Sequence, residues 1–165
     1  MKTLVILFNI FLIGNLWSAE HYDVTCNQGD CFKHGWTMTA RKGGYKLFSS
    51  CKNSDCKTYG WESLDSKGDK FEVYCTGKKC FEKGWSSFNT IGKKVYKDKA
   101  TCRHKNCLKY GWTVKTGYDK MGGNVTCGNY DCSKYGGVAF WRGRASKTTC
   151  TLQSCYTKGW TLTIY

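Results

Sequence analysis

Twelve cysteines and three histidines are the side chains in this sequence that could do chemistry on their own. A cysteine can serve as a thiolate nucleophile, as a soft metal ligand or as half of a disulfide. Spacing decides among these. The cysteines form six pairs, each five residues apart: Cys26 and Cys31, Cys51 and Cys56, Cys75 and Cys80, Cys102 and Cys107, Cys127 and Cys132, Cys150 and Cys155. None stands outside the pattern, so no lone thiol nucleophile is expected. None has the two-residue knuckle spacing of a zinc site. An even set in a fixed repeat reads as a disulfide framework. Two schemes satisfy the repetition, one within each unit and one between neighbours. The local scheme is favoured, because a four-residue excursion can bring two Cα atoms within about 4.4–6.8 Å.

The histidines His21, His34 and His104 have no regular spacing to a carboxylate and read as exposed loop residues. No phosphate-binding loop is present; Gly43-Gly44 and Gly122-Gly123 read as turns. The expectation is therefore a protein with no catalytic residue, no metal and no cofactor.

The elements that carry the cysteines repeat as well. First cysteines are spaced 25, 24, 27, 25 and 23 residues apart, the range of a repeat architecture. Asp30, Asp55, Asn106, Asp131 and Ser154 stand just before the second cysteine as helix N-caps, and only Lys79 breaks that rule. Glycine follows four residues after the second cysteine, as expected for a left-handed residue closing one short helical turn. From there alternating residues such as Trp36, Met38 and Ala40 begin a strand. Turns at Arg41–Gly44, Lys67–Asp69 and Gly92–Lys93 return the chain to the next cysteine.

The fold expected is all-β, built from six cysteine-clipped hairpin repeats of about 25 residues. The domain opens on a lone strand, Tyr22 to Cys26, and closes on another, Trp160 to Tyr165. Pairing these two would close twelve short strands and remove the sheet edges. A β-trefoil has this strand count and leads the expectation, although its natural repeat is threefold; a compact stack of hairpins and two trefoil-like lobes are the alternatives.

Residues 1–19 read as a secretory signal peptide, with Lys2, an apolar run from Leu4 to Gly14, and Ala19 before the polar Glu20. Residues 20–165 then form a single disulfide-rich repeat domain, secreted and without a transmembrane segment. Asn124 heads the only glycosylation sequon, Asn124-Val125-Thr126.

Five tryptophans (Trp36, Trp61, Trp85, Trp112 and Trp160) share one repeat position, as core or as platforms for flat ligands. In the fifth unit Gly137 takes that place, and Trp141 follows four residues on. Either Trp141 fills the vacancy or a shallow pocket opens there beside Arg142 and Arg144. Basic residues gather at the hairpin tips, and Arg41, Lys42, Lys93, Lys94, Arg142 and Arg144 join Trp141 as candidate ligand contacts.

A formal charge of +14 favours anionic partners. The expected function is that of a non-enzymatic, cysteine-rich binding protein acting on an anionic polysaccharide or a host surface protein. Nucleic acid fits the charge, but no motif supports it. The alternatives are a carbohydrate-binding, lectin-like protein and a cationic antimicrobial or toxin-like protein. The profile of leader, small size, cystine repeats and high charge is similar in class to secreted host-interaction proteins of fungi and other parasites. That likeness implies a pathogen effector, a virulence role.

Overall fold

Each repeat folds alike because the same local demands recur. A strand ends at the first cysteine, and two of the next three residues take positive φ, as His104 (46°) and Lys105 (54°) do in the fourth unit. A one-turn helix follows. These helices are α1 (Cys31–His34), α2 (Cys56–Tyr59), α3 (Cys80–Lys83), α4 (Cys107–Tyr110), α5 (Cys132–Tyr135) and α6 (Cys155–Lys158). Asp30 caps α1, its Oδ1 accepting from the N–H groups of Phe32 at 2.9 Å and Lys33 at 3.1 Å. Asp55, Asn106 and Asp131 cap their own turns through backbone N–H groups in the same manner.

Lys79 supplies no cap to α3. Lys79→Asp is therefore expected to stabilise the protein by about 0.5–1 kcal/mol. Loss of the exposed Lys79–Glu82 ion pair, 2.8 Å long, offsets little of that gain. A urea midpoint that stays put or falls would refute the assignment.

All six disulfides close within their own unit, with Cα–Cα distances between 4.4 and 4.6 Å. The glycine after each turn has positive φ, but its ψ lies near −160° rather than in the left-handed helical well, as at Gly60 (φ 88°, ψ −160°). The chain must leave the turn straight into a strand, and only glycine enters that region freely.

The computed structural model describes residues 19–117, 122–141 and 143–165. The expected leader, Ala19 apart, lies outside them, as does Arg142. Among the described residues twelve strands form one closed barrel. In chain order they are β1 (Glu20–Cys26), β2 (Trp36–Ala40), β3 (Lys46–Cys51), β4 (Trp61–Asp65), β5 (Lys70–Cys75) and β6 (Trp85–Ile91). The second half adds β7 (Lys94–Cys102), β8 (Trp112–Lys115), β9 (Gly123–Cys127), β10 (Gly137–Trp141), β11 (Arg144–Cys150) and β12 (Trp160–Ile164). Every strand runs antiparallel to the strands before and after it, and β1 closes on β12 with Glu20 opposite Ile164 and Val24 opposite Trp160. The terminal strands thus meet, and closure leaves the sheet without an open edge. The pairing follows the sixfold order of the sequence, as an up-and-down ring, and not the threefold order of a β-trefoil.

Register explains the interior. The indoles of Trp160, Trp36, Trp61, Trp85 and Trp112 stand on alternate strands with ring centroids 5.4–5.9 Å apart. Strands two apart are separated by roughly 9.5 Å, so their side chains approach this closely on the concave side of the wall. Between each pair of indoles the intervening strand carries a small buried residue: Val24, Ser49, Val73 and Ala100. Bulk there would collide with the rings closing over it. The interior also holds polar pairs: Ser49 and Ser63 share a hydrogen bond of 2.7 Å, and Asn89 Nδ2 donates to Asp98 Oδ2 at 2.6 Å.

The two ends of the barrel differ because the two kinds of connection alternate. All six helical turns lie at one end, each touching the next, with α6 returning to α1. Phe32 from α1 meets Phe81 from α3 at 5.0 Å and Tyr156 from α6 at 4.2 Å, so side chains from non-adjacent units converge as a plug. Lys57 Nζ stands 5.1 Å from the Phe32 ring and 5.5 Å from Tyr156. The hairpin tips and the β1–β12 ends lie at the opposite end, the mouth.

The outer wall carries an ion-pair cluster on β4 and β5: Lys70 Nζ lies 3.2 Å from Glu72 and 4.0 Å from Glu62. The strands are four to nine residues long. No helix among the described residues is long and apolar enough to cross a membrane.

Candidate functional site: the barrel mouth

Three tips meet along one side of the mouth. The β2–β3 tip turns through Gly43 (φ 84°) and Gly44 (φ 71°), and Arg41 N–H donates to the His21 carbonyl at 2.9 Å, fastening this tip to β1. The β4–β5 tip is shaped by Asp65, whose Oδ1 accepts from the N–H groups of Lys67 and Asp69, both at 2.9 Å. Asp69 in turn accepts from Gly92 N–H at 3.0 Å, which ties in the β6–β7 tip. Successive antiparallel pairing along the chain sets these tips side by side, and closure adds Arg144 beside Glu20.

Between the first two tips and β1 lies a cavity of about 470 Å³. Tyr22 and Tyr45 meet edge to face inside it at 6.2 Å, and His21, Arg41, Lys42 and Lys67 surround them. Lys67 Nζ is 6.0 Å from the Tyr45 ring. Arg41 is committed to Asp23: Nη2 donates to Oδ1 at 2.7 Å and Nε to Oδ2 at 2.9 Å. These bonds hold the Asp23 carboxyl below its ordinary range and raise Arg41. Glu20 accepts from Tyr22 Oη at 2.7 Å and faces Arg144 at 3.4 Å; the tyrosine bond lowers its carboxyl. Burial first, then the Glu20 bond, pushes Tyr22 up to about 12. Burial likewise lifts Tyr45 to about 12, with Asp65 adding to it. Both phenols are neutral donors across the physiological range.

Of the candidate ligand contacts, the structure brings Arg41 and Lys42 into this cavity and sets Arg144 at its edge through Glu20. Lys93 and Lys94 lie on the β6–β7 side, exposed, and do not line it. Trp141 sits opposite Gly123, its ring against that residue, and does not fill the place left by Gly137. Gly123 has no Cβ, and the edge of the indole occupies the space that one would fill. Asn124 is exposed on the outward face of β9, opposite Phe140. His21 is at the mouth, whereas His34 and His104 belong to the helical end, so the histidines do not converge. Among the described residues no three His, Cys, Asp or Glu side chains gather as a metal site.

Sequence reasoning misses Tyr22, Tyr45, His21 and Glu20 as members of the site. Their signal is present in the alternation of the first strand and its pairing with the last. A larger hollow, about 620 Å³, lies on the outer wall between Phe48, Leu64, Glu62 and Lys70. Its charges already neutralise one another, so the mouth offers the better set of free groups.

Fold and site together define a class: a closed, sixfold cystine-clasped β-barrel with one plugged end and one open, cationic and aromatic mouth. No family model matches the chain, and no curated protein or solved structure is significantly similar to it.

Proposed function

We propose that the protein is a secreted, non-enzymatic binding protein that takes an acidic saccharide, sulfated or uronic, at the barrel mouth. The observation that carries this reading is the cavity of about 470 Å³ in which two tyrosines stand among Lys42, Lys67 and Arg41. Aromatic faces stack on sugar rings, and the Glu20 carboxylate, which lines the cavity, can accept hydrogen bonds from hydroxyls. Lys42 and Lys67 are the cations left to meet a sulfate or carboxylate. Six disulfides fit an oxidising, extracellular setting. Action at a host surface, as an effector would have, is part of the same proposal.

The test is titration with a heparin oligosaccharide and with a neutral glucan at two salt concentrations. Heparin binding is expected to weaken at high salt. The variant Lys42→Ala/Lys67→Ala is expected to lose about tenfold in affinity, or about 1.4 kcal/mol. Lys93→Ala/Lys94→Ala is expected to lose much less. Equal losses in the two variants would mean that diffuse charge, not this cavity, does the binding. Tight binding of the neutral glucan with no salt dependence would favour the lectin-like alternative.

A further inference from the structure

Five units place an indole at one position inside the ring, and the fifth unit has Gly137 there. The arc of ring contacts runs from Trp160 through Trp36, Trp61 and Trp85 to Trp112. At the break, between β8 and β12, lies a cavity of about 250 Å³ lined by Trp112, Val125, Ala139, Ser146, Thr148 and Leu162. The wall has drawn in without closing it: a Cβ on Gly137 would lie 2.4 Å from the Thr126 carbonyl oxygen. Trp141, further toward the mouth on the same strand, does not line the space.

We propose that this cavity is a binding site for a small planar aromatic molecule with one hydrogen-bonding group, of the size of indole. Its walls are apolar apart from the hydroxyl-bearing Ser146 and Thr148, the usual make-up of a small-molecule site. An apolar cavity of roughly 150 Å³ suffices to bind benzene. The exposed flank of Trp112 offers an aromatic guest the edge-to-face contact that its neighbours already make with one another. The ligand completes the sixth position of the ring. The site uses strands β8 to β12 and does not depend on the saccharide reading of the mouth.

Indole itself is the probe, added to the intact oxidised protein. Proton–nitrogen NMR is expected to show saturable shifts of the Trp112 indole N–H and of backbone amides in β9 to β12. The dissociation constant should be on the order of 1 mM or tighter. Ala139→Phe, which fills the space from β10, is expected to weaken binding at least tenfold while heparin binding is unchanged. Ser146→Leu, from β11, repeats the test should the first variant fail to fold. Absence of saturable shifts at millimolar indole would overturn the proposal. So would shifts spread over the whole surface, or undiminished binding in a folded, filled variant.

Discussion

Gly60→Ala is expected to cost at least about 3 kcal/mol, a large share of the roughly 5–15 kcal/mol that holds a domain of this kind. Two costs add at this site. Gly60 has φ 88° and ψ −160°, a conformation that only glycine adopts freely. A Cβ built there would stand 2.2 Å from the Val73 carbonyl oxygen. That carbonyl belongs to β5, which is bonded on both sides to its ring neighbours, so it has nowhere to retreat. The same approach, 1.9 to 2.2 Å, recurs at Gly35, Gly84, Gly111, Gly136 and Gly159, always against the small residue of the following odd strand. Gly68 is the control. It has φ 87° with nothing within 4 Å of its missing Cβ, so Gly68→Ala should cost only the conformational part, about 1 kcal/mol. Urea midpoints of the two variants separate the terms; equal losses would show that the close approach to Val73 carries no energy.

Complete reduction is expected to unfold the barrel at neutral pH. Each clip closes a small loop, and the loop-entropy relation gives about 2 kcal/mol per bond. Six such bonds together rival the net stability of a whole domain. Their second cysteines are also core: Cys31, Cys56, Cys80 and Cys107 are no more than 1% exposed. The clips reach beyond their own unit as well. Sγ of Cys51 lies 3.4 Å from the Cys31 carbonyl oxygen, and Sγ of Cys127 lies 3.3 Å from that of Cys107. A disulfide sulfur has no hydrogen to donate, so these are close sulfur–oxygen contacts that wedge one turn against the previous one. Circular dichroism and tryptophan emission under thiol, with alkylation to count released cysteines, check the expectation. Native signals after all six bonds are open would refute it. Removal of one pair, Cys51→Ala/Cys56→Ala, should cost on the order of 2 kcal/mol and leave a folded ring.

Much of the architecture is legible because it is written six times. Asp30, Asp55, Asn106 and Asp131 announce a capped turn, whereas the Ser154 hydroxyl meets that of Thr157 and caps nothing; Gly35 and its counterparts announce the exit, and the lone strands at either end imply each other. The glycine geometry is not legible in full. The spacing predicts a left-handed residue, whereas the observed ψ is set by the carbonyl of a strand some 14 residues away in sequence, as Ser49 is from Gly35. The mouth is half legible. Lysines at tips are visible in any hairpin, but which tips become neighbours depends on ring order. Arg41 and Lys42 therefore end beside Tyr22, Tyr45 and Lys67, while Lys93 and Lys94 do not. The place of Trp141 turns on Gly123, a residue that reads as part of a turn and instead leaves room on β9 for the edge of the indole.

The plug at the helical end is matched to a ring of six units. Units touch their immediate neighbours along the wall, so a ring of five or seven would keep the same kind of strand pairing with a narrower or wider bore. What distinguishes six is the axis, where Phe32, Phe81 and Tyr156 from three different units must reach one another. A wider ring would pull them apart and open a channel from end to end; a narrower one would crowd them. Gene duplication could add a module to this chain, but the centre, not the circumference, would decide whether it stayed.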